Sequence, residues 1–225
     1  MINVFVVDDH AIVRQGIRRI LNDAQGIRFG GEAENGIDAL KMMRAEKYDV
    51  VLLDVSMPGK NGIDTLGQII DADKDAKVLM LSMYPEDQYA VRLMKAGASG
   101  YLTKEADPEC LIEAIMSVVS GKKYINPHLA ELLLFECATD SGKSPHETLS
   151  AREFQVLGLI GAGMTVSEIA QTLILSVKTV STYRTHILEK MKLRNNAELT
   201  YYVAQNGLTA LGRGQKEDGS RHANS

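Results

Sequence analysis

Along the first 123 residues, short apolar runs alternate with longer segments in which apolar residues recur every three or four positions. Ile2–Val7, Lys77–Ser82 and Ser99–Lys104 predict strands, as does Val50-Val51-Leu52-Leu53-Asp54. Arg28–Ala33 predicts a weaker one, broken by Gly30 and Gly31. The central runs show no polar alternation, the mark of strands buried on both faces. The periodic segments predict helices over Ala11–Leu21, Ile37–Glu46, Gly62–Asp73 and Glu86–Ala96, and a fifth from Asp107-Pro108 to about Ser120. In the first helix Ile12, Val13, Ile17, Ile20 and Leu21 form the expected apolar side; in the second, Ala39, Leu40 and Met43 face inward. Strand and helix alternating five times predict a doubly wound, five-stranded parallel α/β sheet.

From residue 124 the pattern changes. Residues 124–148 read as a linker in which Asn126-Pro127 starts a short helix through Leu132–Phe135. That helix is expected to pack on one of the domains. Thr139–Thr148 is polar, contains Gly and Pro, and reads as flexible. Residues 149–211 predict an all-α domain of four short helices, about 151–160, 166–173, 177–191 and 196–205. Their starts are marked by Ser150-x-x-Glu153, Thr165-x-x-Glu168, Ser176 and Asn195-x-x-Glu198. Ile169, Ala170, Leu173, Leu175, Val177 and Val180 supply the contacts of a helix-turn-helix. Residues 212–225 are a polar tail expected to be disordered.

Composition adds little except in its distribution. The chain has 225 residues, 45% hydrophobic and 24% charged, ordinary for globular domains. Cys110 and Cys137 lack metal-ligand spacing, and no apolar run has the length of a membrane span, which fits a cytoplasmic protein with reduced thiols. The formal net charge of −4 hides an asymmetry. Residues 1–125 carry 15 Lys/Arg against 19 Asp/Glu, whereas residues 178–194 hold five basic side chains and one acid. An acidic first domain and a locally basic helix point to nucleic acid as the partner of the second.

The polar residues of the first domain fall at the carboxyl ends of the strands: Asp8 and Asp9, Asp54, Ser82, Lys104. In a parallel sheet those ends share one edge, where ligands bind. One aspartate at a strand end is a common turn residue. Three that converge repel each other unless a cation sits among them. Three carboxylates, a hydroxyl and a lysine describe a magnesium-assisted phosphoryl-transfer site.

On these residues, 1–123 resemble the receiver domain of a two-component response regulator, with its flavodoxin-like fold. The resemblance implies that Asp54 accepts a phosphoryl group from a sensor histidine kinase. It implies that Asp9, Asp54 and the Ser56 backbone carbonyl bind Mg2+ directly, Asp8 through water. Ser82 and Tyr101 would be the switch pair, and Lys104 would pair with the phosphoryl group. The chain departs mildly where many receivers have Thr at the Ser82 position and Pro at that of Glu105. A rival reading is a phosphatase with an aspartyl-phosphate intermediate; that chemistry needs a general acid two residues after the nucleophile, where this chain has Ser56. The chain is therefore expected to be a regulator rather than an enzyme.

Residues 149–208 resemble the LuxR-type helix-turn-helix of NarL/FixJ-class regulators, through Leu149-Ser-Ala-Arg-Glu153, Gly163–Ala170, Ser176, Lys178-Thr-Val180 and Ile187–Met191. Lys178, Thr179, Ser181, Thr182, Arg184 and Thr185 are expected on the exposed side of the third helix. By the resemblance Ser181, Thr182 and Thr185 face bases, and Lys178, Arg184 and Lys192 face phosphates of double-stranded DNA. Many members have Lys-x-His where this chain has Ser181-Thr182-Tyr183. The last helix, with Leu199, Tyr202 and Val203, resembles the surface of an active homodimer. RNA polymerase is a further candidate partner, and no membrane is expected.

Overall fold

The computed structural model describes residues 1–57, 61–83, 86–138 and 144–208, and for 86–88 and 135–138 the backbone alone. The expected turn at Pro58-Gly59 lies outside them. The chain forms two compact units, Met1–Asp140 and Ser141–Ser225.

The first unit runs β1 (Ile2–Val7), α1 (Ala11–Asp23), β2 (Ile27–Ala33), α2 (Gly36–Ala45), β3 (Val50–Asp54), α3 (Gly62–Ala72), β4 (Val78–Ser82), α4 (Glu86–Lys95), β5 (Gly100–Thr103), α5 (Pro108–Val119) and α6 (Pro127–Ala138). All strand pairs are parallel, in the order β2-β1-β3-β4-β5. The chain thus winds outward in both directions from β1 and β3, and the cleft between their carboxyl ends is the topological switch point. Val4, Val6, Leu52, Leu79, Leu81 and Leu102 point to one face and pack with Ile17, Leu21, Leu111, Ile115 and Val118 of α1 and α5. The alternate residues, Phe5, Val51, Leu53, Met80 and Tyr101, are equally buried on the other. Asn35 and Asn61 cap α2 and α3 by accepting backbone N–H groups. Asp107 takes the N-cap position of α5 without a side-chain hydrogen bond.

Three expectations change here. Ile12 is not part of the apolar side of α1: it is 85% exposed, while Arg14 is buried in register with Ile17 and Leu21. Two positions before Arg14, and so about 200° round the helix from it, Ile12 faces solvent. Leu40 and Met43 are half-buried, with Ala39 alone fully inside. The short helix after Asn126 extends over twelve residues. Asn126 Oδ1 accepts from Leu129 N at 2.8 Å, Leu129 is fully buried, and the helix packs on α4.

The second unit begins with one 3₁₀ turn, Pro145–Thr148, followed by α7 (Ala151–Gly161), α8 (Val166–Thr172), α9 (Val177–Met191) and α10 (Asn196–Gln205). The other three helices pack on α7. Gly163 turns the chain between α7 and α8 with φ +83°, a conformation that favours glycine. Complete capping boxes open α7 and α8. That of α10 differs from expectation: Asn195 accepts from Glu198 N, but the Glu198 carboxylate accepts from Arg194 N at 2.8 Å rather than from Asn195 N. Val177 is 52% exposed instead of buried in the helix-turn-helix, because Ile169, Ala170, Leu173 and Val180 already close that contact. Of the expected flexible stretch Thr139–Thr148, Pro145–Thr148 forms a 3₁₀ turn. Residues 139–143 lie outside the described ones, but the 3₁₀ turn is tied down by His146 Nδ1, 2.7 Å from Tyr202 Oη, with the His146 ring against Phe154. The tail 212–225 also lies outside the described residues.

Candidate functional site

The carboxyl edge of the sheet carries the acidic cluster. Asp8 follows β1 and is fully buried; Asp54 ends β3 and is 1% exposed; Lys104 follows β5 with 8% of its side chain exposed. Lys104 Nζ lies 2.8 Å from Asp8 Oδ2 and 3.0 Å from Asp54 Oδ2. One ammonium thus serves two buried carboxylates. Asp8 Oδ1 accepts from His10 N at 2.8 Å, and Asp54 Oδ1 from Ser56 N at 3.2 Å. The His10 ring stands 3.0 Å from Asp9 Oδ1. Gly62, at the start of α3, lies so close to the Asp54 carbonyl that a side chain has no space there.

Electrostatics follow from this packing. Burial raises the Asp54 carboxyl, the neighbouring Lys104 pulls it down and Asp8 pushes it up, and the net pKa is about 6. Burial works against the Lys104 charge, but Asp54 and Asp8 outweigh it and raise its pKa. Asp8 Oδ2, Asp9 Oδ1 and Asp54 Oδ2 are closed to solvent without a full set of donors: the first and third share the Lys104 ammonium, and the second faces the His10 ring. Ligand atoms of Asp8, Asp9, His10 and Asp54 all lie within 4.8 Å of one another. Under-neutralised hard oxygens at this spacing fit a small divalent cation such as Mg2+.

Ser82 ends β4 fully buried, in register with Thr103, and Tyr101 is 1% exposed in register with Met80. The two-residue period places Ser82 and Tyr101 on the same face of neighbouring strands. Ser56 sits two residues beyond Asp54, half-buried. Two neighbours escaped the sequence reading. His10 was visible as the residue after the acid pair. Arg14 was concealed because a charged residue in an amphipathic helix reads as solvated.

On α9, Lys178, Ser181, Thr182 and Thr185 are exposed, and their spacing puts them on one stripe. Thr179 and Arg184 do not simply join them. Thr179 is half-buried, with Oγ1 2.8 Å from Ser176 Oγ at the N-cap. Arg184 is half-buried and its Nε donates to Asn196 Oδ1 of α10 at 2.5 Å. Lys192 is exposed at the left-handed C-cap. The expected dimer residues are also corrected. Leu199 and Val203 are fully buried, Val203 against Gly161 of α7, and Tyr202 is held by His146. The exposed aromatic of α10 is Tyr201, at 69%. No helix among the described residues is long and apolar enough to cross a membrane.

Comparison with known proteins follows the same division. Residues 4–116 match the response regulator receiver domain, and residues 147–203 match the luxR family of bacterial regulatory proteins. The chain is 43% identical over 209 residues to the response regulator UvrY of Escherichia coli K12, covering 92% of this chain and 96% of that protein. It is 41% identical over 209 residues to the response regulator GacA of Pseudomonas aeruginosa, covering 92% and 98%. Among solved structures it resembles RcsB of Salmonella enterica serovar Typhimurium bound to promoter rprA in the presence of the phosphomimetic BeF3-. The TM-score is 0.64 at 26% identity, over 91% of this chain and 99% of that one.

Proposed function

Because the chain belongs to the two-component response regulators that join a receiver domain to a luxR-family DNA-binding domain, we propose that Asp54 is the phosphoacceptor and the acidic pocket its transfer site. The protein is a response regulator whose phosphorylation controls sequence-specific DNA binding and transcription. The observation that carries the residue assignment is the shared ammonium: Lys104 pairs with Asp54 and Asp8 at the switch point, holding the Asp54 carboxylate ionised inside the fold. We assign residues 1–123 to the receiver and 149–211 to DNA binding.

The phosphodonor in this reading is a sensor histidine kinase. An Asp54 oxygen attacks phosphorus, the P–N bond to the donor imidazole breaks as the new P–O bond forms, and the ring, already protonated on its other nitrogen, leaves as neutral imidazole. The product is a mixed anhydride on Asp54. With a pKa of about 6, Asp54 is predominantly the nucleophilic carboxylate at neutral pH. Asp8, Asp9, Asp54 and the Ser56 carbonyl would hold Mg2+, which when bound offsets their charge and that of the phosphoryl oxygens. Lys104 then exchanges its Asp54 contact for a phosphoryl oxygen. The Ser82 hydroxyl moves to the phosphoryl group and Tyr101, on the same face, repacks behind it.

The α9 stripe of Lys178, Ser181, Thr182 and Thr185 docks in the major groove, with Lys178, Arg184 and Lys192 neutralising phosphates. Thr179 contributes through the helix N-cap beside the backbone. The active form is a homodimer whose surface we place on the exposed side of α10, around Tyr201. The protein acts in the cytoplasm, with RNA polymerase as the further partner. Acetyl phosphate and Mg2+ should place one hydroxylamine-labile phosphoryl group on the chain, mapped by mass spectrometry to Asp54. A label elsewhere overturns the assignment.

A further inference from the structure

Arg14 is 5% exposed in the first turn of α1, four residues past His10 and five past Asp9. A buried arginine is retained where its charge and donors are used. Its Nη1 donates to the backbone carbonyl of Asp8 at 2.8 Å, and its Nη2 to Glu34 Oε1 at 2.7 Å. Its Nε lies 3.8 Å from Glu32 Oε2. Glu32 belongs to β2 and Glu34 follows it, so the guanidinium ties the end of β1 to the end of its edge neighbour.

Asp8 is consequently held at both of its backbone groups. Its N–H donates to Ala33 O of β2 at 3.1 Å, and its carbonyl accepts from Arg14. That carbonyl is part of the peptide link between Asp8 and Asp9. Rotating it re-aims both side chains. The Glu34 side chain is 71% exposed, and an ion pair that open contributes little to stability. The Asp8 contact is buried and lies next to the pocket.

We propose that Arg14 is a positioning residue: by holding the Asp8 carbonyl it fixes Asp8 and Asp9 in the orientation that binds the divalent cation. This rests on the reading of the pocket as a magnesium site. Arg14 does not touch the phosphoryl group, so its effect appears in cation affinity and not in the transfer step once the site is filled.

The test uses the full chain and Mg2+ alone, with affinity measured by calorimetry at a temperature where circular dichroism shows each variant folded. Arg14→Met should raise the Mg2+ dissociation constant about tenfold, which corresponds to about 1.4 kcal/mol. The rate of phosphorylation by acetyl phosphate at saturating Mg2+ should stay within about threefold. Arg14→Lys, which keeps one donor and the charge, should recover part of the affinity, and Glu34→Gln should leave it within about twofold. A folded Arg14→Met with unchanged Mg2+ affinity overturns the proposal and leaves Arg14 a structural brace. If Arg14→Met does not fold, Arg14→Lys decides: a severalfold weaker constant supports the proposal, and an unchanged one overturns it. Failure of the magnesium reading itself is separate, because the unsubstituted chain would then bind no Mg2+, or bind it equally well as Asp9→Asn.

Discussion

The two candidate functional surfaces of this protein are built in opposite ways. The acidic pocket assembles residues distant in sequence, Asp8, Asp54 and Lys104, from the ends of three strands, and buries them nearly completely. The α9 surface takes neighbours from one helix and leaves them in water. Burial makes the pocket's chemistry depend on its neighbours, since each charge there lacks solvent to screen it. On α9 the side chains keep near-ordinary solvation, so function rests on which of them remain available. Changes in the pocket should therefore act as switches, and changes on α9 as graded losses.

The largest expected effect is at Asp54. Asp54→Asn should abolish phosphorylation by acetyl phosphate, with a residual rate at least about a hundredfold lower. Lys104→Ala should leave Asp54 the acceptor but weaken every response that depends on the phosphoryl group's position. A comparable rate in Asp54→Asn would show that the pocket does not behave as a switch.

Next in size is the acid response. The folded-state pKa of Asp54, about 6, lies above its ordinary value of 3.8. The folded state therefore holds this proton more tightly, so the contribution is fully present below about pH 4. It is lost as pH rises through about 6, amounting to about 3 kcal/mol of destabilisation at neutral pH. Urea unfolding of residues 1–140 should show that decline between pH 4 and 6, and Asp54→Asn should flatten it. Mg2+ should offset it by binding the ionised form. The second unit has the reverse sign. Burial raises the Glu153 pKa, but Lys190 at 2.7 Å and the Ser150 contacts outweigh it and the net shift is downward. Its contribution is present above the ordinary carboxylate range and lost as pH falls. Glu153→Gln should remove that loss in the second unit and leave the first unaffected.

Smaller effects distinguish the α9 residues. Lys178→Ala should weaken binding to all DNA sequences alike and lower the slope of log affinity against log salt by about 0.9. Arg184→Ala should do the same and also lower thermal stability, because it breaks the link to Asn196. Thr182→Ala should instead change which sequences are preferred, read by selection from a random library. An Arg184→Ala protein with an unchanged slope would make Arg184 a brace between helices.

How much of this was legible beforehand differs between the surfaces for the same reason. A parallel sheet leaves little freedom: a polar residue ending a buried apolar run must lie at the shared edge, so Asp8, Asp54, Ser82 and Lys104 could be brought together from spacing alone. The same logic missed Arg14, because helical periodicity marks which positions face the core but not a guanidinium that enters it to reach a carbonyl. On α9 the residue types were readable but not their commitments. Thr179 is taken up by the N-cap and Arg184 by α10, contacts made outside the helix's own pattern. Leu199 and Val203 were misplaced for a related reason. A short apolar helix has one good face, and in this fold that face is needed against α7.

The acidic receiver and the locally basic α9 lead to one further prediction, that the unphosphorylated first unit lowers the DNA affinity of the second. A fragment of residues 147–211 should then bind DNA more tightly than the unphosphorylated full chain. Equal affinities would leave dimerisation as the route by which phosphorylation acts.

The central claim is that occupancy of Asp54 controls DNA binding. Its most direct test is a titration of the full chain, at one salt concentration and with Mg2+ present, against a duplex enriched from a random library. It is done with and without beryllium fluoride, beside the Asp54→Asn variant. The account predicts at least about tenfold tighter binding with beryllium fluoride in the unsubstituted chain and none in the variant. Equal tightening in both, or none in either, would contradict it.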